Sequence, residues 1–279
     1  MASRQAFYQY LRHKDIPWKY QWVVDLMNEI IAEDECNDTY GRKKKYQVLK
    51  MKVPNDPKLL CEKTIRKIME KIGLIHKPRT KPNGITKADR EARKSDDLIK
   101  RSFRAAKPLE KGVTDITEIL AKDGKLYVSA LFDCFDAAVL GLSMADNMRA
   151  ELCVQTLNNA CFSYHGLRGA IVHSDRGSQH TSEKYLLAVS KCGVRQSMNS
   201  ADGRCHDNAR CESMWARMKE ELFYSRNRKS QNYTIEQLRS MIWRYFMSYW
   251  NNRRIFFSND GLPLMLKRKL YYSNLPYAA

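Results

Sequence analysis

The chain has 279 residues, 43% of them hydrophobic and 29% charged, enough for one large domain or two modest ones with real cores. Its 49 Lys and Arg outnumber 31 Asp and Glu for a net charge of +18, an excess that draws a protein to a polyanion because each phosphate contact releases condensed counterions. No apolar run approaches the ~18 residues that span a bilayer, no signal-type apolar stretch opens the chain, and the eight cysteines contain no CxxC pair. These features argue against a membrane-embedded protein and a disulfide scaffold, and set the expectation of a cytoplasmic, nucleoid-associated protein. The charge alone would also suit a ribosome-associated or membrane-surface protein, or simple solubility; nucleic acid is the favoured reading.

Residues 1–75 read as helical. Val23, Leu26 and Ile30 recur on one face, as do Ile65, Ile68, Met69 and Ile72, and Gly73 stands where a helix end favours positive φ. Between them lies Tyr40-Gly-Arg-Lys-Lys-Lys45. Two short helices about a turn suit a helix-turn-helix segment, with Arg42, Lys43, Lys44 and Lys45 available to backbone phosphates. A helical hairpin whose lysines only solvate one face would look the same. Residues 76–108 are a basic linker by composition, from His76-Lys-Pro to Lys107-Pro108. Residues 1–107 hold 26 Lys and Arg against 14 Asp and Glu, so about two thirds of the positive excess lies there.

From residue 113 the periodicity changes. Val113–Ile119, Leu126–Phe132 and Ala138–Met144 read as strands, the first two joined through the hairpin signal Lys122-Asp-Gly124. A helix with the stripe Leu152, Cys153, Thr156, Leu157, Ala160, Cys161 and Tyr164 follows, then the short strand Ala170–Val172 and a helix over about 182–191. A Gly- and Asn-containing loop leads to a long helix from about Asn208. Thr234-Ile-Glu-Gln237 is a capping box opening the next helix. Three antiparallel strands, helix, strand, helix and a long helix is the order of an α/β core of RNase H type. The tail mixes aromatic and basic residues, among them Arg253, Arg254 and Lys267–Tyr272. Distorted DNA is bound by such mixtures, and surface-packed helices have them too. Cys205, His206 and Cys211 fit no standard zinc spacing.

Three carboxylates stand out by setting. Asp115 lies inside the apolar strand Val-Thr-Asp-Ile-Thr, where it costs desolvation unless paired or bound to a cation. Asp175 directly follows the strand ending at His173, and strand ends of α/β sheets are where sites are assembled. Glu212 lies early in a long helix beside the apolar stripe Cys211, Met214, Trp215, Met218 and Leu222. Three converging carboxylates make a hard oxygen site suited to Mg²⁺ or Mn²⁺. Two such ions can drive in-line displacement at a phosphodiester.

The stretches Val113-Thr-Asp-Ile-Thr-Glu118, Gly124–Asp133, His173-Ser-Asp-Arg-Gly-Ser-Gln-His-Thr-Ser182 and Asp207-Asn-Ala-Arg-Cys-Glu212 resemble the DDE transposases of bacterial insertion sequences. The likeness is to the product of the second reading frame and runs from about residue 5 to about 265. It implies a retroviral-integrase-type, RNase H-like core over 109–265 with a mixed five-stranded sheet flanked by helices. A small all-helical helix-turn-helix segment would precede that core and a basic, aromatic tail, 266–279, would follow it. It further implies that Asp115, Asp175 and Glu212 are the catalytic triad holding two Mg²⁺ or Mn²⁺ ions, and that Lys219 touches DNA. Arg176, Arg253 and Arg254 are further candidate DNA contacts. The partners it implies are double-stranded DNA at element ends and target, further copies of the chain, and an upstream-frame helix-turn-helix protein or fusion. Three features depart from the family: 36 residues separate Asp175 from Glu212, one more than usual; Val113 replaces an aromatic; and the C-terminal ending is loosely kept. The expected activity is metal-dependent DNA cleavage and strand transfer. The alternatives are a non-catalytic DNA-binding regulator or domesticated transposase, and a structure-selective RNase H-like nuclease.

Overall fold

The computed structural model describes residues 4–13, 18–54, 61–75, 96–100, 102–199 and 209–274. The chain divides into two compact units, Met1–His76 and Lys77–Ala279.

The first unit is helical, with α1 (Arg4–His13), α2 (Gln21–Glu33), α3 (Arg42–Lys52) and α4 (Glu62–Lys71). On α2 the inward residues are Val23, Met27 and Ile30; Leu26, expected there, is only half-buried. On α4 they are Ile65, Ile68 and Met69. Gly73 has φ +73°, and Leu74 N–H reaches back to the Met69 carbonyl at 2.8 Å, closing the helix as the glycine predicts. The basic cluster differs from expectation. Gly41 caps α3 and Arg42–Lys45 form its first turn, so the cluster is helix rather than turn. Asp34 and Asn37 organise the 3₁₀ turn before it, Asp34 accepting from Cys36 N–H at 2.9 Å and Asn37 donating to the Ile30 carbonyl at 2.8 Å.

The second unit is built on five strands: β1 (Lys111–Leu120), β2 (Lys125–Asp133), β3 (Val139–Ala145), β4 (Ile171–Ser174) and β5 (Arg195–Met198). Their order is β3-β2-β1-β4-β5, with β1–β2 and β2–β3 antiparallel and β1–β4 and β4–β5 parallel. This is the RNase H-like arrangement. The hairpin turn at Gly124 has φ +151°, and Ala121 N–H bonds the Gly124 carbonyl at 2.9 Å. β5 falls where the sequence pattern gives only a loop, because Arg-Gln-Ser-Met carries no apolar alternation; β4 recruits it as an edge strand.

The alternation along β2 explains the two packed faces. Leu131 joins Leu140, Cys153, Leu157, Ala160 and Val172 in one core, under α5 (Ala150–Ser163) and, after the one-turn helix α6 (Ser178–Thr181), α7 (Glu183–Cys192). Phe132 faces the other way, 5.4 Å from the Trp215 ring and 5.9 Å from the Phe246 ring, beneath α8 (Ala209–Leu222) and the helical segment to Trp250 that opens with α9 (Ile235–Trp243). A Cβ on Gly141 would sit 2.2 Å from the Thr156 carbonyl, so α5 crosses β3 at backbone contact distance.

Two buried arginines tie the C-terminal part to this unit. Arg254 grips Glu221 in a fork, Nη2–Oε1 2.5 Å and Nε–Oε2 2.9 Å, and Tyr245 donates to the same carboxylate at 2.8 Å. Arg268, on α10 (Leu264–Ser273), binds Asp133 at 2.6 Å and Asp136 at 2.9 Å. The expected boundary between residues 265 and 266 therefore cuts through a helix anchored in the core. The linker span 76–95 and residues 275–279 lie outside the described residues.

Candidate active site at the β1–β4 end

Parallel pairing from Lys111↔Ile171 to Val113↔His173 sets Asp115 and Asp175 side by side just beyond the paired stretch of β1 and β4. Asp115 continues on β1, while the chain turns just past β4 at Asp175. Asp115 feels the charge of Asp175. Burial pushes the Asp115 carboxyl up to about 7, helped by the Asp175 charge; the Ile116 N–H, the charge of His180 and the Trp215 indole oppose the shift only in part. Trp215 Nε1 is buried without a hydrogen bond of ordinary geometry. Asp175 goes the other way. Burial raises its carboxyl, yet the His180 hydrogen bond and charge, the Gly177 N–H and the His173 charge hold it below the ordinary value. The pair thus retains a proton near neutrality, on Asp115, when no cation compensates it.

The loop after β4 is shaped around Asp175. Its Oδ1 accepts from Gly177 N–H at 3.1 Å and from His180 Nδ1 at 3.0 Å. A Cβ at Gly177 would lie 3.1 Å from that oxygen, so glycine lets the backbone turn close over the carboxylate. His173 is clamped at both ring nitrogens, by Ser197 Oγ and Asn199 Oδ1, each at 2.8 Å. Arg176 Nε donates to the Asn199 carbonyl at 2.6 Å. β5, implied by the five-stranded resemblance but not placed by the residue pattern, is what supplies Ser197. Sequence reasoning also passed over His180 and Gly177, whose signal was proximity to Asp175 in a motif already singled out.

Glu212 stands on the first turn of α8 and is exposed. The inward residues of that turn are Cys211 and Trp215. Burial first, then the charges of Asp115 and Asp175, raise the Cys211 thiol, so that face of α8 looks onto the carboxylate pair. Glu212 is one residue, about 100° of helix, away from it. Among the described residues no group of three His, Cys, Asp or Glu is gathered closely enough to hold a metal. The structure joins Asp115 to Asp175 and leaves Glu212 beside them. The stretch 200–208 leading into α8, with the extra loop residue, Cys205 and His206, lies outside the described residues.

The candidate DNA contacts divide by exposure. Arg42 and Lys43 are exposed, Arg42 pairing with Glu62 at 3.8 Å. Lys44 lies 4.8 Å over the Tyr40 ring. Lys219, seven residues beyond Glu212, donates to the Glu118 carbonyl at 3.1 Å, while Arg176 is half-buried and Arg253 exposed. Two candidates are corrected. Lys45 is fully buried, where burial lowers its ammonium to about 8 against the opposing charge of Asp38. Arg254 is fully buried and committed to Glu221. Neither side chain reaches a phosphate from these positions.

An RNase H-like sheet with two neighbouring carboxylates, one midway along β1 and one just past the parallel strand β4, defines the class: polynucleotidyl transferases. Comparison with known proteins narrows it. The integrase core domain family matches residues 105–205, a span that includes Asp115 and Asp175. A putative transposase of insertion sequence element IS150 from Escherichia coli is 27% identical over 269 residues, covering 96% of this chain and 90% of the relative. A probable transposase of IS1353 from Shigella flexneri is 30% identical over 94% of this chain, which spans only 49% of that longer protein. An uncharacterized transposase-like protein from Haemophilus influenzae is 32% identical, covering 69% of this chain and 86% of the relative. The chain belongs to the insertion-sequence transposases with an integrase core. No helix among the described residues is long and apolar enough to cross a membrane.

Proposed function

We propose that the chain cuts and joins DNA strands through a divalent-cation site made by Asp115, Asp175 and Glu212. The observation that carries this is the neighbouring pair of Asp115, midway along β1, and Asp175, just past β4, buried enough that one carboxyl retains its proton. Hard oxygen donors in such a pair fit Mg²⁺ or Mn²⁺ better than softer metals. A bound divalent cation, or two, would polarise the scissile phosphodiester and favour the deprotonated form of an attacking water or 3′-OH. Asp115 and Asp175 would hold it, and Glu212, on the first turn of α8, would supply the third carboxylate once that turn rotates to bring it onto the pair's side. Trp215 and Cys211 close the inner side against water. Lys219 and Arg176, with Arg42, Lys43, Lys44 and Arg253, are proposed to hold the DNA backbone. Self-association in a transposition complex and cooperation with an upstream-frame helix-turn-helix partner belong to the same reading, with the work done at the nucleoid.

Asp175→Asn is the test. It keeps size and hydrogen-bonding shape while removing charge that the cation needs. With the upstream-frame product supplied and DNA bearing the element's ends, cleavage and joining in Mg²⁺ or Mn²⁺ should fall by orders of magnitude, since each ~1.4 kcal/mol of barrier is tenfold in rate. Duplex binding should persist, and Ca²⁺ should support binding with little turnover. Undiminished strand transfer by the variant would remove the assignment.

A further inference from the structure

We propose that His180 is a positioning residue for the cation site: its Nδ1–H pins one oxygen of Asp175 so that the other is presented to the metal. The proposal rests on the cation reading above.

Asp175 Oδ1 already carries two donors, Gly177 N–H at 3.1 Å and His180 Nδ1 at 3.0 Å. No described residue donates to Oδ2 of this partly exposed carboxylate, leaving it the oxygen open to a ligand. A carboxylate held at one oxygen cannot rotate without breaking both bonds, so the direction of Oδ2 is set before any cation arrives. A carboxylate only accepts, so Nδ1 must carry a proton whatever the charge of the ring. The imidazole has nowhere else to go. Its side chain is 1% exposed, and its ring meets the Tyr185 ring edge-on at 5.1 Å. Nε2 is buried facing the Cys153 thiol, without a hydrogen bond of ordinary geometry. Its own backbone is fixed from two sides: the N–H bonds the Gly177 carbonyl at 3.0 Å, and the carbonyl accepts from Gln196 Nε2 at 2.8 Å. Thus β5 holds the histidine, and the histidine holds the carboxylate. Partners that orient a metal-binding side chain commonly matter about 10- to 100-fold in metal affinity or activity.

The side chains that can replace His180 make the test specific. An Asn amide nitrogen falls near the Nδ1 position, a Gln amide nitrogen near that of Nε2, and Phe keeps the ring without a donor. Mn²⁺ binding to the full chain, followed by electron paramagnetic resonance, should weaken about tenfold or more in His180→Phe and His180→Gln and stay within a few-fold of wild type in His180→Asn. Melting temperatures without metal, measured on the same samples, report folding separately, and a loss that merely tracked stability would not single out Asn for rescue. Independently of any variant, ¹⁵N-histidine NMR of the wild type should show His180 protonated at Nδ1. A ring protonated only at Nε2 overturns the proposal, as does His180→Phe that binds Mn²⁺ as tightly as wild type. A wild-type chain whose Mn²⁺ binding is indifferent to Asp175→Ala sinks the cation reading and this proposal with it; tight, Asp175-dependent binding that ignores His180 sinks this proposal alone.

Discussion

Two residues carry charges their surroundings do not favour, for the same reason and with opposite signs. Asp115 is raised from 3.8 to about 7, by burial and then by Asp175. Between those values the folded protein binds a proton that the unfolded chain has released, so metal-free stability falls as pH rises through the window. Asp115→Asn should flatten that slope and make the metal-free protein more stable above pH 7, by about 2 kcal/mol once partial exposure is allowed for. Mg²⁺ or Mn²⁺ should raise the wild-type melting temperature and leave the variant's nearly unmoved. Thermal melts from pH 4 to 8, with and without metal, read both effects; a variant less stable than wild type at pH 7.5 counts against the coupled pair. Lys45 is the reverse case. Burial lowers it from 10.5 to about 8, so between those values the unfolded chain holds the extra proton and stability rises with pH. At pH 7 the buried ammonium is a cost, its Nζ making no hydrogen bond. Lys45→Met should stabilise the first unit at that pH by roughly 1–3 kcal/mol, seen in urea unfolding followed by Trp fluorescence.

Among the described glycines, Gly141 marks a junction at backbone contact, α5 over β3. Gly141 exists there because a Cβ would meet the Thr156 carbonyl at 2.2 Å and Ala160 Cβ at 2.9 Å, and neither obstacle is a flexible side-chain end. Gly141→Ala should cost about 1–3 kcal/mol or more through overpacking, measured as a lower urea midpoint. Because β2 and β3 pair below the helix and β1 pairs with β2, the strain reaches the strand carrying Asp115. β5 shows a different dependence. It is short and polar, yet Ser197 and the following Asn199 clamp His173, and Gln196 fixes the backbone of His180. An edge strand with no pattern of its own thereby orders the loop around Asp175.

For the molecule as a whole, the charge distribution and the chemistry separate. Residues 1–107 hold 26 Lys and Arg against 14 Asp and Glu, while the paired carboxylates lie in the second unit. Duplex binding should therefore weaken steeply with salt. Removal of the first unit, residues 1–76, should reduce the magnitude of the slope of log K against log salt, by about 0.9 for each phosphate that this unit neutralises. Fluorescence anisotropy over a salt series measures it. An unchanged slope would assign the backbone grip to the core and the segment joining it to the first unit.

Much was legible in the residues alone, because it is carried by local pattern. The alternation at 113–132 makes strands, the apolar stripe from Leu152 makes α5, Thr234 and Gln237 form their reciprocal cap, and Gly73 ends α4. Asp115 and Asp175 were identifiable because a carboxylate inside an apolar strand, or at a strand's end, is costly without a purpose. Other features had no local signature. β5 is a strand only because β4 offers it an edge; Lys45 and Arg254 look on paper like their exposed basic neighbours, and only packing buries them. Arg268 finds Asp133 and Asp136 more than 130 residues away in sequence. The same holds for His180: nothing in Ser-Gln-His-Thr says that its ring turns back to Asp175, because that contact is made by a loop folded against β5. Side-chain period and backbone preference act over a few residues and so can be read along the chain, whereas burial and pairing depend on which distant segments the fold brings together.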